Sequence, residues 1–335
     1  MKVNNISTVT LPGNQITGAV RLASQATATG LYMSSSGPNK AAKSAGHPFV
    51  TTLASIALDV QKALAPQRAP IFQMLPSTTT WDINFSNSKG AVTYTSSNGG
   101  FNNVFVAAVA SDGTLTPEFS YEVEDGNSPT FLRNTSTNPA KQIYISAILS
   151  GYNLAIIGLQ EQDGKQVPGV SGLIGTSEAP VSVGRVCGDF SQGLPQTVSL
   201  FYKTDERVGP LTPGMAFRGR LSFATFDTKN NKLGTPVSLL DGSEIADFDL
   251  AATGDCYCLL ISLSNGMPLL ATFDATGKLT GGPDQLAGPW NSVGHWIGSP
   301  TLIPDPTAKS PAFRFAFVEH DTQGPINIHT GQCGT

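Results

Sequence analysis

The sequence predicts an all-β fold, a six-bladed β-propeller whose last blade is closed by the N-terminal strand. Three observations lead to this prediction. Short runs rich in Val, Ile, Phe, Tyr and Thr recur between Gly, Pro and Asn residues, these runs form a repeat, and the two ends of the chain complement each other. All-β domains reach the length of 335 residues, so we assign residues 1–335 to a single propeller domain.

The repeat is clearest in two pairs of segments. The stretch beginning at Trp81 aligns with the stretch beginning at Ala246, and each reads as strand, turn, strand, Ser-Asn-Gly, strand, small-residue turn and Leu-Thr. In the same way SPTFLRN, from Ser128, aligns with SPTLIPD, from Ser299. Each unit therefore has strands A, B and C, followed by a fourth strand, D, after Leu-Thr.

The B strands mark six units along the chain. They are expected to begin near Leu31, Val92, Gln142, Thr197, Cys256 and Ala312, at spacings of 61, 50, 55, 59 and 56 residues. These spacings are a little above the roughly 40–50 residues of WD40 and kelch blades. The excess in units one and four lies between strands B and C, at residues 34–48 and 204–218.

The two termini predict how the ring closes. The last unit supplies strands A, B and C at 298–303, 313–319 and 325–329, and then the chain stops. Residues 3–11 form a spare strand-like run before the first A strand. Pairing this run with the last C strand completes blade six and removes two open strand edges.

Turns and buried strands agree with this order. Asp112-Gly113 and Asp163-Gly164 are two-residue hairpin signals, because a type I′ turn requires positive φ at both central residues. Asn230-Asn231 and Thr276-Gly277 occupy the same C-to-D place in units four and five. The C strands at 104–109, 154–157 and 269–273 are continuously apolar. Continuous apolarity is expected of strands buried between neighbouring blades.

The segment SKGAVTYTSSNGGFNNVFVAAVASDGTLT, residues 88–116, resembles a known kind of repeat. It is similar to the repeats of lactonase-like, YVTN-type propellers, in which a turn, a strand ending in Ser-Asn, a strand and Asp-Gly-x-Leu recur. The likeness is good for units two and five, fair for three and six, and poor for one and four. It implies a propeller architecture, in a family that often has seven blades. No lactonase catalytic motif is found, so the resemblance implies no active-site residues.

Composition excludes several classes of partner. Only 13% of the residues are charged and the net charge is −4, without the basic stripe that nucleic-acid binding requires. No apolar run reaches the roughly 18 residues of a membrane span. The first residues lack the apolar core of a secretory signal. Low charge and Asn-x-Ser/Thr triplets at Asn5, Asn84 and Asn134 nevertheless favour a secreted protein, whose leader would precede this sequence, over a cytoplasmic one.

The four cysteines leave their state open. Cys256 and Cys258 lie two residues apart on one predicted strand and so face the same side. They are interpreted as two small buried residues, or one of them is bridged to Cys187; Cys333 has no assigned partner. No second Cys or His pair has zinc-ligand spacing, and we predict neither a metal nor a cofactor.

A ligand is expected at the axial mouth, where the D-to-A and B-to-C loops of all blades gather. Aromatic and histidine side chains that suit a partly apolar organic ligand or a sugar ring are predicted there: Trp81, Trp290, Trp296, His47, His295 and His320. An alternative is that Trp290 and Trp296 fill the gap between blades, and that His295 is a structural, hydrogen-bonded residue.

Carboxylates also occur near this mouth, namely Asp125, Glu178, Asp241, Glu244 and Asp247. Two that face each other could catalyse glycoside hydrolysis, and several together with Asn127 could hold Ca²⁺. Solvated loop carboxylates are the simpler interpretation.

The sequence favours a small-molecule enzyme without a cofactor. It would bind a largely apolar or aromatic molecule in the funnel and promote ring opening, cyclisation or cycloaddition. The grounds are the tryptophan and histidine side chains predicted at the mouth, the two long loops of units one and four that could cover it, and the lactonase-like repeats; no nucleophile elbow, zinc, nucleotide or dinucleotide motif is found. His295 would polarise the ligand or transfer a proton, Trp81, Trp296 and Tyr152 would form walls, and Arg207 or His47 would reach in from the two long loops.

Two alternatives remain at this point. One is a non-catalytic propeller that binds a protein or a glycan; the Trp residues do not recur in equivalent positions of six blades, which is unlike a multivalent lectin. The other is a glycoside hydrolase with two facing funnel carboxylates. The sequence contains no signal for the oligomeric state.

Overall fold

A computed structural model of the chain describes most strands and some of the turns between them. The described residues are 2–11, 20–24, 29–38, 49–57, 72–74, 80–86, 89–98, 101–109, 115–123, 125–136, 143–149, 153–159, 166–167, 174–176, 179–191, 193, 195–208, 216–240, 245–254, 256–288, 290, 295–305, 308, 312–321 and 326–334.

The first half of the chain forms 14 strands in the described residues: β1 (Lys2–Leu11), β2 (Val20–Ser24), β3 (Thr29–Pro38), β4 (Phe49–Ala57), β5 (Phe72–Met74), β6 (Trp81–Ser86), β7 (Lys89–Asn98), β8 (Phe101–Val109), β9 (Leu115–Val123), β10 (Gly126–Phe131), β11 (Arg133–Asn134), β12 (Ile143–Leu149), β13 (Asn153–Leu159) and β14 (Gln166–Val167).

The described part of the second half forms 12 strands: β15 (Val181–Gly188), β16 (Thr197–Val208), β17 (Ala216–Asp227), β18 (Lys232–Leu233), β19 (Val237–Leu240), β20 (Ile245–Thr253), β21 (Cys256–Leu263), β22 (Pro268–Asp274), β23 (Leu279–Gln285), β24 (His295–Pro304), β25 (Ala312–Asp321) and β26 (Ile326–Gly334).

Within the described residues these strands form six sheets, numbered along the chain, in which neighbouring strands are antiparallel except for one short pair. Sheet 1 is β2-β3-β4-β5, sheet 2 is β6-β7-β8-β9, sheet 3 is β10-β12-β13-β14, and sheet 5 is β20-β21-β22-β23. Sheet 4 has six strands, β11-β15-β16-β17-β18 with β19 also paired to β17, and the short β11 joins it by parallel pairing with β15. Sheet 6 is β24-β25-β26 with β1 as its outer strand.

The chain ends meet in sheet 6. β1 runs antiparallel to β26, with Lys2 opposite Gly334 and Leu11 opposite Ile326. The pairing is reinforced by polar side chains. Oγ1 of the exposed Thr8 lies 3.0 Å from Nδ1 of the buried His329, and His329 Nε2 lies 2.7 Å from Oε2 of the buried Glu319 on β25. The first strand of the protein is therefore held to its last strand by side chains as well as by the backbone.

The apolar core lies between successive sheets. Separate clusters of buried side chains join sheets 2 and 3, 3 and 4, 4 and 5, and 5 and 6. A further cluster, which includes Val20 and Leu22 of β2 and Val318 and Ile328 of sheet 6, joins the last sheet to the first. Sheets that pack face to face around a ring and return to the first one make a β-propeller.

The prediction of an all-β propeller is thus confirmed. Five sheets have the four strands of a regular blade, whereas sheet 4 has six in the described chain. The second strands β3, β7, β12, β16, β21 and β25 begin at or within three residues of the positions expected for the B strands. In the described residues, no helix is long and apolar enough to span a membrane.

Candidate functional site

The first strands of the six sheets meet around one central space. β2, β6, β10, β20 and β24 each lie at the edge of their own sheet, and β15 has only the two-residue strand β11 outside it. β2 contacts β6 and β24, while β10 contacts β6 and β15. The starts of these strands surround a recess of about 300 Å³, which we call the axial recess. Its lining comes from every sheet: Arg21, Thr80, Ser128, Pro129, Thr130, Val183, Arg185, Ala246, Asp247, Ser262, Gly298 and Ser299.

Two arginines are the most prominent groups of this lining. Arg21 on β2 donates Nε to the carbonyl of Trp81 (3.2 Å) and Nη1 to the carbonyl of Val20 (2.9 Å). Arg185 on β15 donates Nε to Asp249 Oδ1 (3.2 Å) and Nη1 to the carbonyl of Gly184 (2.9 Å). These bonds fix each guanidinium plane from one side, so the two planes are held in place at the recess.

Beneath the recess lies a buried charge cluster. Arg133, on β11, donates Nη2 to both carboxylate oxygens of Asp249 (3.0 and 3.2 Å) and has its Nη1 3.5 Å from Asp82 Oδ2. Asp82 and Asp249 are each about 1% exposed. Arg133 therefore ties the inner strand of sheet 2 to that of sheet 5 across the axis.

The two buried carboxylates are also bound by backbone. Asp82 Oδ2 accepts the amide of Phe131 (2.8 Å) and Asp249 Oδ2 accepts the amide of Leu302 (2.8 Å). Buried charges are tolerated when they are paired and hydrogen-bonded in this manner. Since their oxygens are occupied, Asp82 and Asp249 act as supports of the arginines.

Asp247 differs from these supports. Its side chain is 29% exposed and its Oδ1 lies 3.6 Å from Arg185 Nη2, while Oδ1 also accepts the amide of Phe248 (2.8 Å). Burial within the recess raises the pKa of Asp247 despite the opposing effect of Arg185. Burial would also raise the pKa of Asp249, but Arg133 and Arg185 lower it below its ordinary value. The pKa values of the carboxyl groups of Asp247 and Asp249 are thus shifted in opposite directions.

Two serines enter the recess through irregular backbone. Ser128 on β10 has φ 49° and Ser299 on β24 has φ 51°, and the pairing of each strand with its neighbour shifts register at that point. A bulge re-aims side chains, and non-glycine residues at positive φ are uncommon and often mark functional sites. Each serine opens a Ser-Pro-Thr sequence, the segment that aligned in the two repeats.

Two of the predicted tryptophans lie inside the protein. Trp81 begins β6 and is 1% exposed, and its Nε1 has no hydrogen-bond partner within the described residues. Trp290 is 8% exposed, donates Nε1 to the carbonyl of Leu286, and packs edge-on against Phe317 and His329. Both therefore pack in the core, and for Trp290 this is the alternative that the sequence left open.

Other predicted site residues are placed only by their backbone. His295 and Trp296 begin β24, opposite Asp321 and His320 of β25, and Arg207 lies on β16 opposite Phe217. The side chains of His295, Trp296 and Arg207 lie outside the described part of the structure, as do Tyr152, His47, Glu178, Glu244 and Asp241 entirely.

Asn127 and His320 are described and partly buried. Asn127 lies on β10, one residue before Ser128. His320 lies near the end of β25, where burial lowers the pKa of its ring. Neither contributes to the described lining of the axial recess, so the structure does not bring them together with Arg21 or Arg185.

The sequence prediction did not identify the two arginines. The only signal for them was weak: Arg21 and Arg185 occupy the first strands of units one and four, which share a long loop between strands B and C but resemble each other poorly. Asp247 was among the mouth carboxylates that the sequence indicated.

The described cysteines carry no bridge, and Cys187, Cys256, Cys258 and Cys333 are all free thiols. Burial raises the pKa of Cys187 and Cys258. In the described ranges no three His, Cys, Asp or Glu side chains converge as a set that could hold a metal ion.

Comparison with known proteins gives fold-level similarity only. No family model and no curated protein matches the chain. Among solved structures, a neuraminidase-like protein from A/bat/Guatemala/164/2009 is 11% identical with a TM-score of 0.49, over 100% of this chain and 95% of that one. The α-L-arabinofuranosidase PaAbf62A from Podospora anserina, in complex with cellotriose, is 11% identical with a TM-score of 0.43, over 77% and 91%. A glycosyl hydrolase from Bacteroides ovatus is 9% identical with a TM-score of 0.45, over 80% and 87%.

These neighbours are glycoside hydrolases or neuraminidase-like proteins. The comparisons contain nothing specific to the lactonase-like, YVTN-type propellers that residues 88–116 resemble. The class that fold and topology define is therefore the β-propeller, and function has to be argued from the axial recess.

Proposed function

We propose that the protein binds a small oxyanion in the axial recess. The observation that carries this proposal is that two guanidinium groups, from Arg21 and Arg185, line one recess together with a single described carboxyl group, Asp247. Guanidinium is the side-chain group best suited to bidentate recognition of carboxylate, sulfate or phosphate. The partners that hold Nε and Nη1 of each arginine leave the group oriented before a ligand arrives, which lowers the cost of binding.

The charge balance of the cluster supports an anionic ligand. Three arginines (Arg21, Arg133, Arg185) face three aspartates (Asp82, Asp247, Asp249). When Asp247 holds a proton, the cluster has one excess positive charge. Burial favours that protonated state by raising the pKa of Asp247, and an oxyanion would then neutralise the excess.

The same groups support acid–base chemistry on the bound molecule. A carboxyl group with a raised pKa, close to a held anion, is suited to give or take a proton. Eight of the twelve described lining residues have polar or charged side chains, and two of these are arginines, so we favour a polar anionic substrate over the largely apolar or aromatic one suggested by the tryptophans. Cofactor-free ring opening, cyclisation or cycloaddition remains the proposed reaction class, with Asp247 as the acid–base residue and a non-catalytic binding protein as the alternative.

Glycoside hydrolysis is a second candidate function. Its general acid requires a carboxyl group with a raised pKa, which Asp247 provides. It also requires a second carboxylate that is free to act as base or nucleophile, and in the described recess Asp249 is instead bound by Arg133, Arg185 and the Leu302 amide. Release of sugar from a panel of aryl glycosides, abolished in Asp247→Asn, would favour this function over the first.

We also propose that each of the six sheets is one blade. Sheet 4 then counts as a four-stranded blade extended by β11 and by the short strand β18 or β19. The apolar clusters between successive sheets, and the one between sheets 6 and 1, support a ring of six within one domain.

Calorimetry with sodium sulfate at constant ionic strength tests the anion site. Wild type should bind one sulfate per chain, and Arg21→Gln and Arg185→Gln should each weaken binding by about 10- to 100-fold, since one charge-assisted hydrogen bond contributes about 1.5–3 kcal/mol. Lys232→Gln, which removes an exposed cation on β18, is the matched control and should bind like wild type. Equal binding by all four proteins would overturn the proposal.

His295 and Trp296 remain candidates for the wall of the mouth. They begin β24, the strand on which Gly298 and Ser299 line the recess. Alanine at either position should reduce affinity for an organic anion such as benzoate while leaving sulfate binding unchanged; unchanged benzoate binding would remove both residues from the site.

A further inference from the structure

The axial recess is built from two matching halves, sheets 1–3 and sheets 4–6. Arg21 in the first half and Arg185 in the second each donate Nη1 to the carbonyl of the preceding residue, at 2.9 Å in both cases. Ser128 and Ser299 have nearly the same positive φ, 49° and 51°, and each begins Ser-Pro-Thr. The two arginines lie in sheets 1 and 4, and the two serines lie in sheets 3 and 6.

The middle sheet of each half repeats as well. Asp82 in sheet 2 binds the amide of Phe131 in sheet 3, and Asp249 in sheet 5 binds the amide of Leu302 in sheet 6, both at 2.8 Å. Phe131 and Leu302 each follow directly on a Ser-Pro-Thr sequence. A contact between two blades is thus reproduced three blades later, as expected for a twofold repeat about the axis.

One lining position breaks this repeat. In sheet 2 the hairpin between β6 and β7 closes at Ser86, and in sheet 5 the hairpin between β20 and β21 closes at Thr253. Counted from those residues, Asp82 matches Asp249, and the residue two positions earlier is Thr80 in sheet 2 but Asp247 in sheet 5. Thr80 and Asp247 both line the recess, so the same place holds a hydroxyl in one half and a carboxyl in the other.

Thr80 serves as an internal control for what the fold requires here. Its Oγ1 is hydrogen-bonded at 2.8 Å to Oγ1 of Thr95, the neighbour on β7. The fold therefore accommodates a neutral side chain at this position with its polar atom satisfied. A carboxyl group at the matching place in sheet 5 is costly to bury and is 29% exposed to the recess. The fold therefore does not by itself require a carboxyl group at this place.

We propose that Asp247 makes this twofold anion cradle asymmetric: it takes up one proton as an oxyanion binds to Arg21 and Arg185, and it hydrogen-bonds a hydroxyl group of the same ligand. This inference rests on the anion site proposed above. The chemical class of ligand that it identifies is a small hydroxycarboxylate. The anionic end would lie at the arginines, and the hydroxyl would face the half that contains Asp247.

The charged groups around Asp247 explain why it should take up a proton when an anion binds. Arg185 on β15 and Arg21 on β2 favour its ionised form, whereas Asp249 on its own strand opposes it. The described lining from β10 and β24 consists of Ser, Pro, Thr and Gly residues and has no titratable group. An oxyanion at the arginines adds a negative charge close to Asp247, so binding should raise its affinity for a proton.

Sulfate binding measured from about pH 4.5 to about pH 8 tests the proton step. Sulfate keeps its own charge in this range. In wild type its affinity should rise toward low pH, by at most about tenfold per pH unit for one linked proton. Calorimetry in buffers of different ionisation enthalpy should report uptake of up to one proton. Asp247→Thr, which copies Thr80, and Asp247→Asn should both bind sulfate without this pH dependence or proton uptake.

A pair of probes tests the ligand class. Acetate and glycolate differ by one hydroxyl group, and at pH 7 wild type should bind glycolate several-fold more tightly than acetate. In Asp247→Thr the ratio of the two affinities should fall toward one. Thermal unfolding of Asp247→Thr should show a Tm no lower than that of wild type, because Thr80 already occupies the matching place in sheet 2. A lower Tm in both Asp247→Thr and Asp247→Asn would show that the fold requires Asp247 and would overturn the inference.

The outcomes separate the two proposals. Absence of sulfate, acetate and glycolate binding to wild type would overturn the anion site itself. Binding that weakens in Arg185→Gln but shows no pH dependence would leave the anion site standing and overturn the role of Asp247. Equal affinity of wild type for acetate and glycolate would overturn the hydroxycarboxylate assignment.

Discussion

Asp249 is the residue whose charge should matter most to the stability of this propeller. It is about 1% exposed, and it accepts hydrogen bonds from Arg133 at 3.0 and 3.2 Å, from Arg185 at 3.2 Å and from the amide of Leu302 at 2.8 Å. Asp249→Asn keeps the shape of the side chain but leaves two buried guanidiniums without this carboxylate. Removal of one partner from a buried ion pair costs about 3–5 kcal/mol, and we expect a loss in that range.

The matching residue of the first half provides the control. Asp82 is equally buried, but its ion-pair distances are longer, 3.5 Å to Arg133 and 3.8 Å to Arg21. Its two backbone donors, Ile83 and Phe131, are neutral. Asp82→Asn should therefore cost less, about 1.5–3 kcal/mol. Urea unfolding followed by fluorescence and far-UV circular dichroism would measure both free energies of unfolding.

The pH dependence of stability provides an independent check on the direction of the pKa shift of Asp249. Arg133 and Arg185 outweigh burial and lower the pKa of Asp249 in the folded protein, so the unfolded chain binds the proton first. The stability contributed by Asp249 is therefore fully present above about pH 5 and is lost as the pH falls through its folded pKa. The difference in the free energy of unfolding between wild type and Asp249→Asn should become smaller below about pH 4. The reasoning would be refuted if Asp249→Asn and Asp82→Asn lost the same free energy of unfolding. It would also be refuted if the difference in stability between wild type and Asp249→Asn stayed constant in acid.

Three further predictions concern other parts of the fold. His329→Ala should cost about 3 kcal/mol in urea unfolding, because one ring nitrogen is bonded to Thr8 on β1 and the other to the buried Glu319 on β25; a loss below about 1 kcal/mol would contradict it. Gly277→Ala should destabilise by about 2 kcal/mol, since φ is +79° and a Cβ would lie 2.2 Å from Phe223, whereas Gly254→Ala, at φ +54° with open space around it, should cost less. Of the four thiols, Cys256 should react first with Ellman's reagent in the native protein because it alone is half-buried; faster labelling of another thiol would argue against the described packing.

Local features explain why much of the scaffold could be predicted from the sequence. Turn residues such as Asn231, with φ 51°, and continuous apolar strands such as β22 depend on neighbouring residues only. Counting the strands of each unit showed that the last unit lacks a fourth strand and that residues 3–11 supply a spare one. The extension of sheet 4 by β11 and β19 gave no such signal, because β11 is two residues long and pairs in parallel with β15.

The site was much less predictable. Tryptophans were assigned to the mouth because they lie in the predicted D-to-A loops, yet Trp81 and Trp290 are only 1% and 8% exposed. Whether a side chain at the start of an inner strand faces the axis or the neighbouring blade depends on register, and a bulge changes that register by one residue. Such bulges occur at Ser128 and Ser299.

The sequence by itself determined the all-β class, the repeat of short strands and the complementarity of the two chain ends, because turn chemistry and strand periodicity are local properties. Only the tertiary structure decided that Arg21 and Arg185 share a recess, that Asp82 and Asp249 are bound beneath it, and that Asp247 stands where the other half has Thr80. Charges far apart in the sequence interact according to their distance in space, and only the closed ring of sheets sets that distance.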